Sequence, residues 1–355
     1  MSTGRPQVLA SDAKMSGALQ GRLRQASAGV LLLALLLALG YLGWKASPPT
    51  PAATVENLRI ALSTVPQSSL FPIAAAKGYF AAEGLAVTLI PVSHGKVAIE
   101  RVLAGEAELA LAAEVPFVIA VMKGEALSVA ANLLDIDGGH ALVARRDRGI
   151  AAAADLAGKR VGVSFGASGE YFLWAFLIRN MLAPDSLTLV DLLPAQMASA
   201  LAGGTVDAVA TWEPFVLDAQ LVLGDQALTL TDPGVYAQSV VIVAGTGFLS
   251  GHRGTIEKLL RALIKAERLT REQPEESLAI VAAWLQRDAK VLRPLWNTLN
   301  FRVELAQSSL ITFEAEARWA MARGYVASAP VPNFLPNVYL DALLAVGRER
   351  VSVLH

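Results

Sequence analysis

The sequence predicts an α/β protein of two lobes, preceded by an N-terminal transmembrane helix. Three observations carry that expectation. From Leu58 onward, short apolar runs alternate with helical stretches, the pattern of layered α/β architecture. Residues 103–118 and 201–216 align without gaps and agree at eight of 16 positions, including Leu-Ala-Gly at the start and Pro-Phe-Val at the end. Such self-likeness points to two related units. Finally, the 20 residues from Gln25 to Trp44 carry no charge, which is enough apolar chain to cross a bilayer as a helix.

The 355 residues, 54% of them hydrophobic, suffice for a large core and favour two domains over one. A net charge of -1 and the lack of a basic aromatic stripe argue against a nucleic-acid partner. There is no cysteine, which excludes disulfides, thiol nucleophiles and cysteine metal sites.

At the N-terminus, Arg5, Lys14, Arg22 and Arg24 stand against one acid, Asp12, before the apolar run centred on residues 30–39. The basic flank keeps the N-terminus cytoplasmic and places everything after Lys45 outside. An uncleaved anchor is the expectation. The competing reading is a signal peptide cut after Ala38-Leu39-Gly40, although Tyr41, Leu42 and Trp44 are bulky for a cleavage region. Pro48, Pro49 and Pro51 stiffen the following linker, which ends at Thr54.

Strand and helix then alternate. Strands are expected over 58–63, 86–92, 108–113, 128–134 and 140–145, with helices over 71–80, 96–104 and 116–123. Gly105 and Gly124 stand where helices stop. A second run repeats the pattern, with strands over 160–164, 188–192 and 207–211 and helices over 171–182, 194–201 and 214–221. Arg59-Ile-Ala-Leu-Ser63 parallels Arg160-Val-Gly-Val-Ser164, each a strand that ends in Ser before a polar loop. After a strand over 240–244 the chain reads as helical, over 255–271, 277–286, 304–323 and 338–348. Ile256, Leu259, Leu260, Leu263, Ile264 and Leu269 mark one apolar face. This tail, without strands of its own, is expected to pack on the first lobe. Lobe 1 then comprises 55–143 and 240–355 and lobe 2 comprises 144–239, behind a membrane segment and linker over 1–54.

Open α/β sheets bind ligands beyond the carboxyl ends of their strands, where helix N-termini present free N–H groups. The loops there supply the candidate ligand contacts: Thr64, Gln67 and Ser68; Glu114; Asn132, Asp135 and His140; Ser164, Ser168 and Glu170; Trp212 and Glu213. Each also has an ordinary structural use. Ser168 can cap a helix, Glu170 is an acid in a first helical turn, Asn132 can serve a turn, and Trp212 can be core. Enzyme signatures are missing: there is no Gly-x-Ser-x-Gly, P-loop or His-Glu-x-x-His. The four histidines, His94, His140, His252 and His355, are not spaced for a metal site.

The stretch from Arg59-Ile-Ala-Leu-Ser63 through Ala76-Lys-Gly-Tyr-Phe80 to Val92 resembles the opening of periplasmic binding proteins of the nitrate, sulfonate and taurine importer family. So do Asp155-Leu-Ala-Gly-Lys-Arg-Val-Gly-Val163 and the stretch from Ala200 to Trp212-Glu-Pro-Phe215. The likeness spans residues 58–266. It implies a type II Venus-flytrap fold with two crossover strands and delivery of a solute to an ABC permease on the periplasmic side of the inner membrane. It also implies a monomer that needs no cofactor, with ligand contacts in 64–69, in 164–170 and at Trp212 and Glu213. Two features depart from the family pattern. Asp135-Ile-Asp-Gly-Gly-His140 is shorter than the usual crossover motif, and Gly169-Glu170 stands where relatives often have Ser-His. The enzymatic relatives, suicidal pyrimidine synthases, need a Cys-rich motif that this chain lacks. The expected function is therefore solute capture, with a membrane-anchored sensor or a pyrimidine-precursor-related enzyme as alternatives. Glu114, Glu170 and Glu213 near an anion would cost affinity, so the expected solute carries a cationic or N–H-donating part, as an amino-sulfonate or a nitrogen heterocycle does.

Overall fold

The computed structural model describes residues 31–41 and 55–354. Residues 31–41 are helical with exposed apolar side chains. The remainder of the expected anchor, 25–30 and 42–44, lies outside the described residues. Among the described residues no helix is long and apolar enough to cross a membrane.

From Val55 on, the chain forms a second unit built on two sheets. The strands are β1 (Glu56–Ser63), β2 (Leu85–Val92), β3 (Leu109–Ala113), β4 (Leu127–Asp137), β5 (His140–Arg145), β6 (Arg160–Val163), β7 (Thr188–Asp191), β8 (Ala208–Trp212), β9 (Ala227–Leu230), β10 (Ala237–Gly245) and β11 (Phe301–Glu304). The first sheet runs β2-β1-β3-β10-β4-β11 and the second β7-β6-β8-β5-β9. In each, a central strand pairs in parallel with the two that follow it in sequence, β1 with β2 and β3, β6 with β7 and β8. In each, the next strand is antiparallel and arrives from the other sheet, β10 beside β3 and β5 beside β8. The internal likeness seen in the sequence thus falls on equivalent units: β3 follows helix Gly95–Leu103, and β8 follows helix Met197–Ala202.

The chain changes sheet twice. The expected first crossing, near Ala144, comes earlier, because β5 pairs with β8 from its first residue, His140 opposite Trp212. The passage is therefore Gly138-Gly139, where Gly138 takes a positive φ of 74° that suits glycine. The second passage lies between β9 and β10 and includes Tyr236.

Other differences have local causes. The helix expected over 71–80 is two, Leu70–Ala76 and Tyr79–Ala82, divided at Gly78 with φ 67°. Two strands were not expected. β9 pairs with β5, and β11 pairs with β4 at the edge of the first sheet. In β11, Phe301 and Val303 are buried while Arg302 is exposed, so a period of two is present but lasts only four residues. The tail therefore does contribute a strand. It also contains an unexpected helix, Ala289–Trp296, capped by the Asp288 carboxylate accepting from Lys290 N at 2.8 Å. The last two expected helices are shorter, Gln307–Ala322 and Asp341–Val346. Most of the tail packs on the first sheet, where Ile256, Leu260, Leu263 and Phe313 join Ile60, Leu109 and Ile242. Helix Gln307–Ala322 goes further: Trp319 and Ala320 join Tyr171 and Phe172 in the core of the second sheet. The tail thus bridges both halves instead of packing on the first alone.

Candidate functional site

Between the two sheets lies a cleft of about 480 Å³, its open mouth included, at the carboxyl ends of β1, β3 and β8. Two glycines bring helix N-termini to its floor. A Cβ at Gly95 would lie 2.7 Å from Ala112 Cα of β3, and one at Gly169 would lie 2.9 Å from the Ala210 carbonyl oxygen of β8. Only glycine lets the starts of helices Gly95–Leu103 and Ser168–Arg179 sit this close to the strands. Their free N–H groups therefore reach the cleft from opposite sides.

Of the twelve residues singled out in the sequence, the structure places Gln67, Ser68, Ser168 and Trp212 on the cleft wall. The wall also takes His94 from the loop after β2, Gly95 and Lys96 from the start of helix Gly95–Leu103, and Gln238 from β10. These were not anticipated, although the strand-end rule that selected 64–69 applies equally to Ser93-His94-Gly95-Lys96. Two bonds cross the cleft: Gln67 Nε2 donates to the Glu213 carbonyl at 2.9 Å, and Lys96 Nζ to the Phe165 carbonyl at 3.3 Å. The buried oxygens Gln67 Oε1 and Gln238 Oε1 meet no donor among the described residues, so each favours a donor on a solute or a water.

His140 sits beneath the wall. Its Nε2 is 3.0 Å from Ser168 Oγ, and its ring packs among Phe172, Trp212 and Tyr236. Burial without a charged partner pulls it down to about 3, so it is neutral. When Nε2–H donates to Ser168 Oγ, the serine proton is free to turn into the cleft. His94 is likewise shifted down, by burial first and by Lys96 second. Lys96 is then the one charged side chain on the wall.

The other expected contacts are engaged elsewhere. Thr64 is exposed off the wall. Ser164 Oγ donates to the Leu192 carbonyl at 2.7 Å. Asn132 Nδ2 and Ser239 Oγ both donate to Asp135 Oδ1, at 2.7 and 2.6 Å, which ties β4 to β10. The three acids expected to shape the solute do not line the cleft. Glu170 accepts from Gly166 N, from Tyr325 Oη and from the Arg323 guanidinium, so its charge is compensated by the tail. Glu213 takes Leu217 N at 3.2 Å, and burial raises its pKa. Glu114 is fully buried, accepting from Tyr236 Oη and Ser239 N, both at 3.0 Å, and burial pushes it up to about 7. The wall thus offers a cation, hydroxyls, amides and helix N-termini, and no carboxylate. That chemistry suits an anionic group.

The sequence family described as NMT1/THI5 like matches residues 65–277, more than half of the chain. A putative aliphatic sulfonates-binding protein of Bacillus subtilis is 24% identical over 278 residues, 74% of this chain and 80% of that protein. Among solved structures, the alkanesulfonate-binding protein from Xanthomonas axonopodis pv. citri bound to MOPS superposes with a TM-score of 0.72 at 19% identity, covering 81% of this chain and 99% of its own. The periplasmic aliphatic sulphonate binding protein from Escherichia coli gives 0.69 at 19% identity, covering 81% and 98%. The fold is that of the periplasmic binding proteins.

Proposed function

The chain belongs to the NMT1/THI5-like family, and on that premise we propose that it is the extracytoplasmic solute-binding protein of an ABC importer, capturing an organic sulfonate between its two halves. The observation that supports this most is the cleft wall itself, in which Lys96 is the only charged group and two helix N-termini converge. A sulfonate spreads one negative charge over three acceptor oxygens. Lys96 Nζ, Ser168 Oγ and the N–H groups at the two helix starts are donors matched to it. Trp212 offers an apolar face to the carbon attached to sulfur. Binding is non-covalent and without turnover.

The lobes of the trap are the two sheets with their helices, and the cross-cleft bonds of Gln67 and Lys96 hold the closed form. The apolar run over 25–44 delivers the chain to the outer face of the cytoplasmic membrane, as an anchor or a removed signal, where the closed trap meets its permease. The expectation of a cationic solute gives way to a plain sulfonate, because Glu114, Glu170 and Glu213 are turned away from the wall.

Thermal-shift titration tests this. Ethanesulfonate should raise the melting temperature, with a stabilisation of about 2.7 kcal/mol once it is at 100 times its Kd. A shift with an amine or a heterocycle and none with any sulfonate would reject the proposal.

A further inference from the structure

A second cavity adjoins the cleft. It holds about 600 Å³, its mouth included, between helices Gly95–Leu103 and Glu114–Met122. Lys96 and Pro116 line both cavities, so the two meet at the one cation of the cleft wall. Beyond that junction Ile99, Leu103, Ile119 and Ala120 form an apolar strip, bordered by Glu100, Lys123 and Glu125. Leu103 is 44% exposed there, an apolar surface with no protein cover. Gly166 stands at the far side with φ 71°, and a Cβ there would touch Ile119 Cδ1 and Tyr325 Cε1, each at 3.6 Å. Its missing side chain leaves that wall open.

We propose that this groove holds the hydrocarbon part of the solute, so that the chain prefers a sulfonate with a long alkyl tail over a two-carbon one. The inference rests on the sulfonate reading of the cleft and extends it. Lys96 stands at the junction and the strip Ile99, Leu103, Ile119 and Ala120 runs on from it, a cation followed by an apolar path, which is the layout an amphiphilic anion needs. A headgroup held at Lys96 places its tail along Ile99, Ile119 and Ala120 and covers Leu103. The size of the wet polar cleft does not limit the tail, because the groove continues past it. Each methylene buried there raises affinity by about fourfold.

Calorimetric titration of the full chain with ethanesulfonate and with octanesulfonate tests the inference. Octanesulfonate should bind at least tenfold more tightly. Ala120→Phe, which fills the groove, and Leu103→Glu, which puts a charge in it, should remove that advantage while leaving ethanesulfonate affinity within about twofold. Retained ethanesulfonate binding also shows that each variant is folded. Equal affinity for the two sulfonates in the wild type would overturn the groove assignment and leave the cleft reading standing. So would an octanesulfonate advantage that survives both variants, which would leave the groove as a surface for a permease loop or a second copy of this chain. Binding of neither sulfonate would overturn both proposals together.

Discussion

Replacing Glu114 by Gln should stabilise the protein relative to the wild type increasingly as pH rises from acid to neutral. Glu114 is fully buried between the first residues of helix Glu114–Met122 and the second passage between the sheets. Its Oε2 and both carboxyl oxygens of buried Glu316 meet no donor among the described residues, yet the two acids lie close enough to shift each other. A proton on Glu316 supplies the missing donor. Burial, with the charge of Glu114 next, holds Glu316 well above the ordinary carboxylate range. Burial pushes Glu114 from 4.5 to about 7. Between those two values the folded state keeps a proton on Glu114 that the unfolded chain releases, so the contribution of Glu114 to stability falls as pH rises and is lost above about 7. At about 1.4 kcal/mol per pH unit, Glu114 accounts for a loss of about 3 kcal/mol across the window. His140 acts in the opposite direction. Held at about 3 against 6.5, it takes up fewer protons folded than unfolded, so its effect is to raise stability with pH between those values. It is present in both proteins and cancels in their difference. Urea unfolding followed by tryptophan fluorescence at about pH 5, 6, 7 and 8 measures that difference. The advantage of Glu114→Gln should grow by about 3 kcal/mol from the acid end to neutrality. A difference independent of pH would refute a protonated Glu114.

Three further outcomes follow from the same contacts. Lys96→Gln removes the one charge of the cleft wall and should raise the Kd for ethanesulfonate by about tenfold or more, as a charge-assisted bond is lost; calorimetry at fixed salt checks it. Gln67→Ala removes the bond to the Glu213 carbonyl across the cleft and should act mainly on release, raising the dissociation rate by about fivefold in stopped-flow displacement. Glu267, fully buried, accepts from Arg271, Arg350 and Val303 N, pinning β11 and the C-terminus to helix Arg253–Glu272. Glu267→Ala should cost about 3 kcal/mol in urea unfolding, with sulfonate affinity unchanged.

The sequence made the interior of the fold legible where its signals were long. β3 and β10 are runs of small and branched apolar residues buried on both faces, and the likeness of 103–118 to 201–216 falls on helix–strand–helix units with the same strand order in each sheet. β9 and β11 escaped because four residues give too short a pattern. Within the site, strand-end logic found Gln67, Ser68, Ser168 and Trp212, and the same logic applied to the loop after β2 would have found Lys96. The acids were misjudged for another reason. Glu170 is held by Arg323 and Tyr325, 153 and 155 residues away, and one oxygen of Glu114 by Tyr236, 122 residues away. No local pattern announces a partner at that distance. A carboxylate at a strand end looks available until the tail that neutralises it is in place.

The most direct test of sulfonate capture is a crystal structure of the chain grown with octanesulfonate. The sulfonate group is expected within about 3 Å of Lys96 Nζ and Ser168 Oγ, with the alkyl chain running toward Leu103. A sulfonate bound away from both donors, or a cleft that takes up a different class of molecule in its presence, would contradict it.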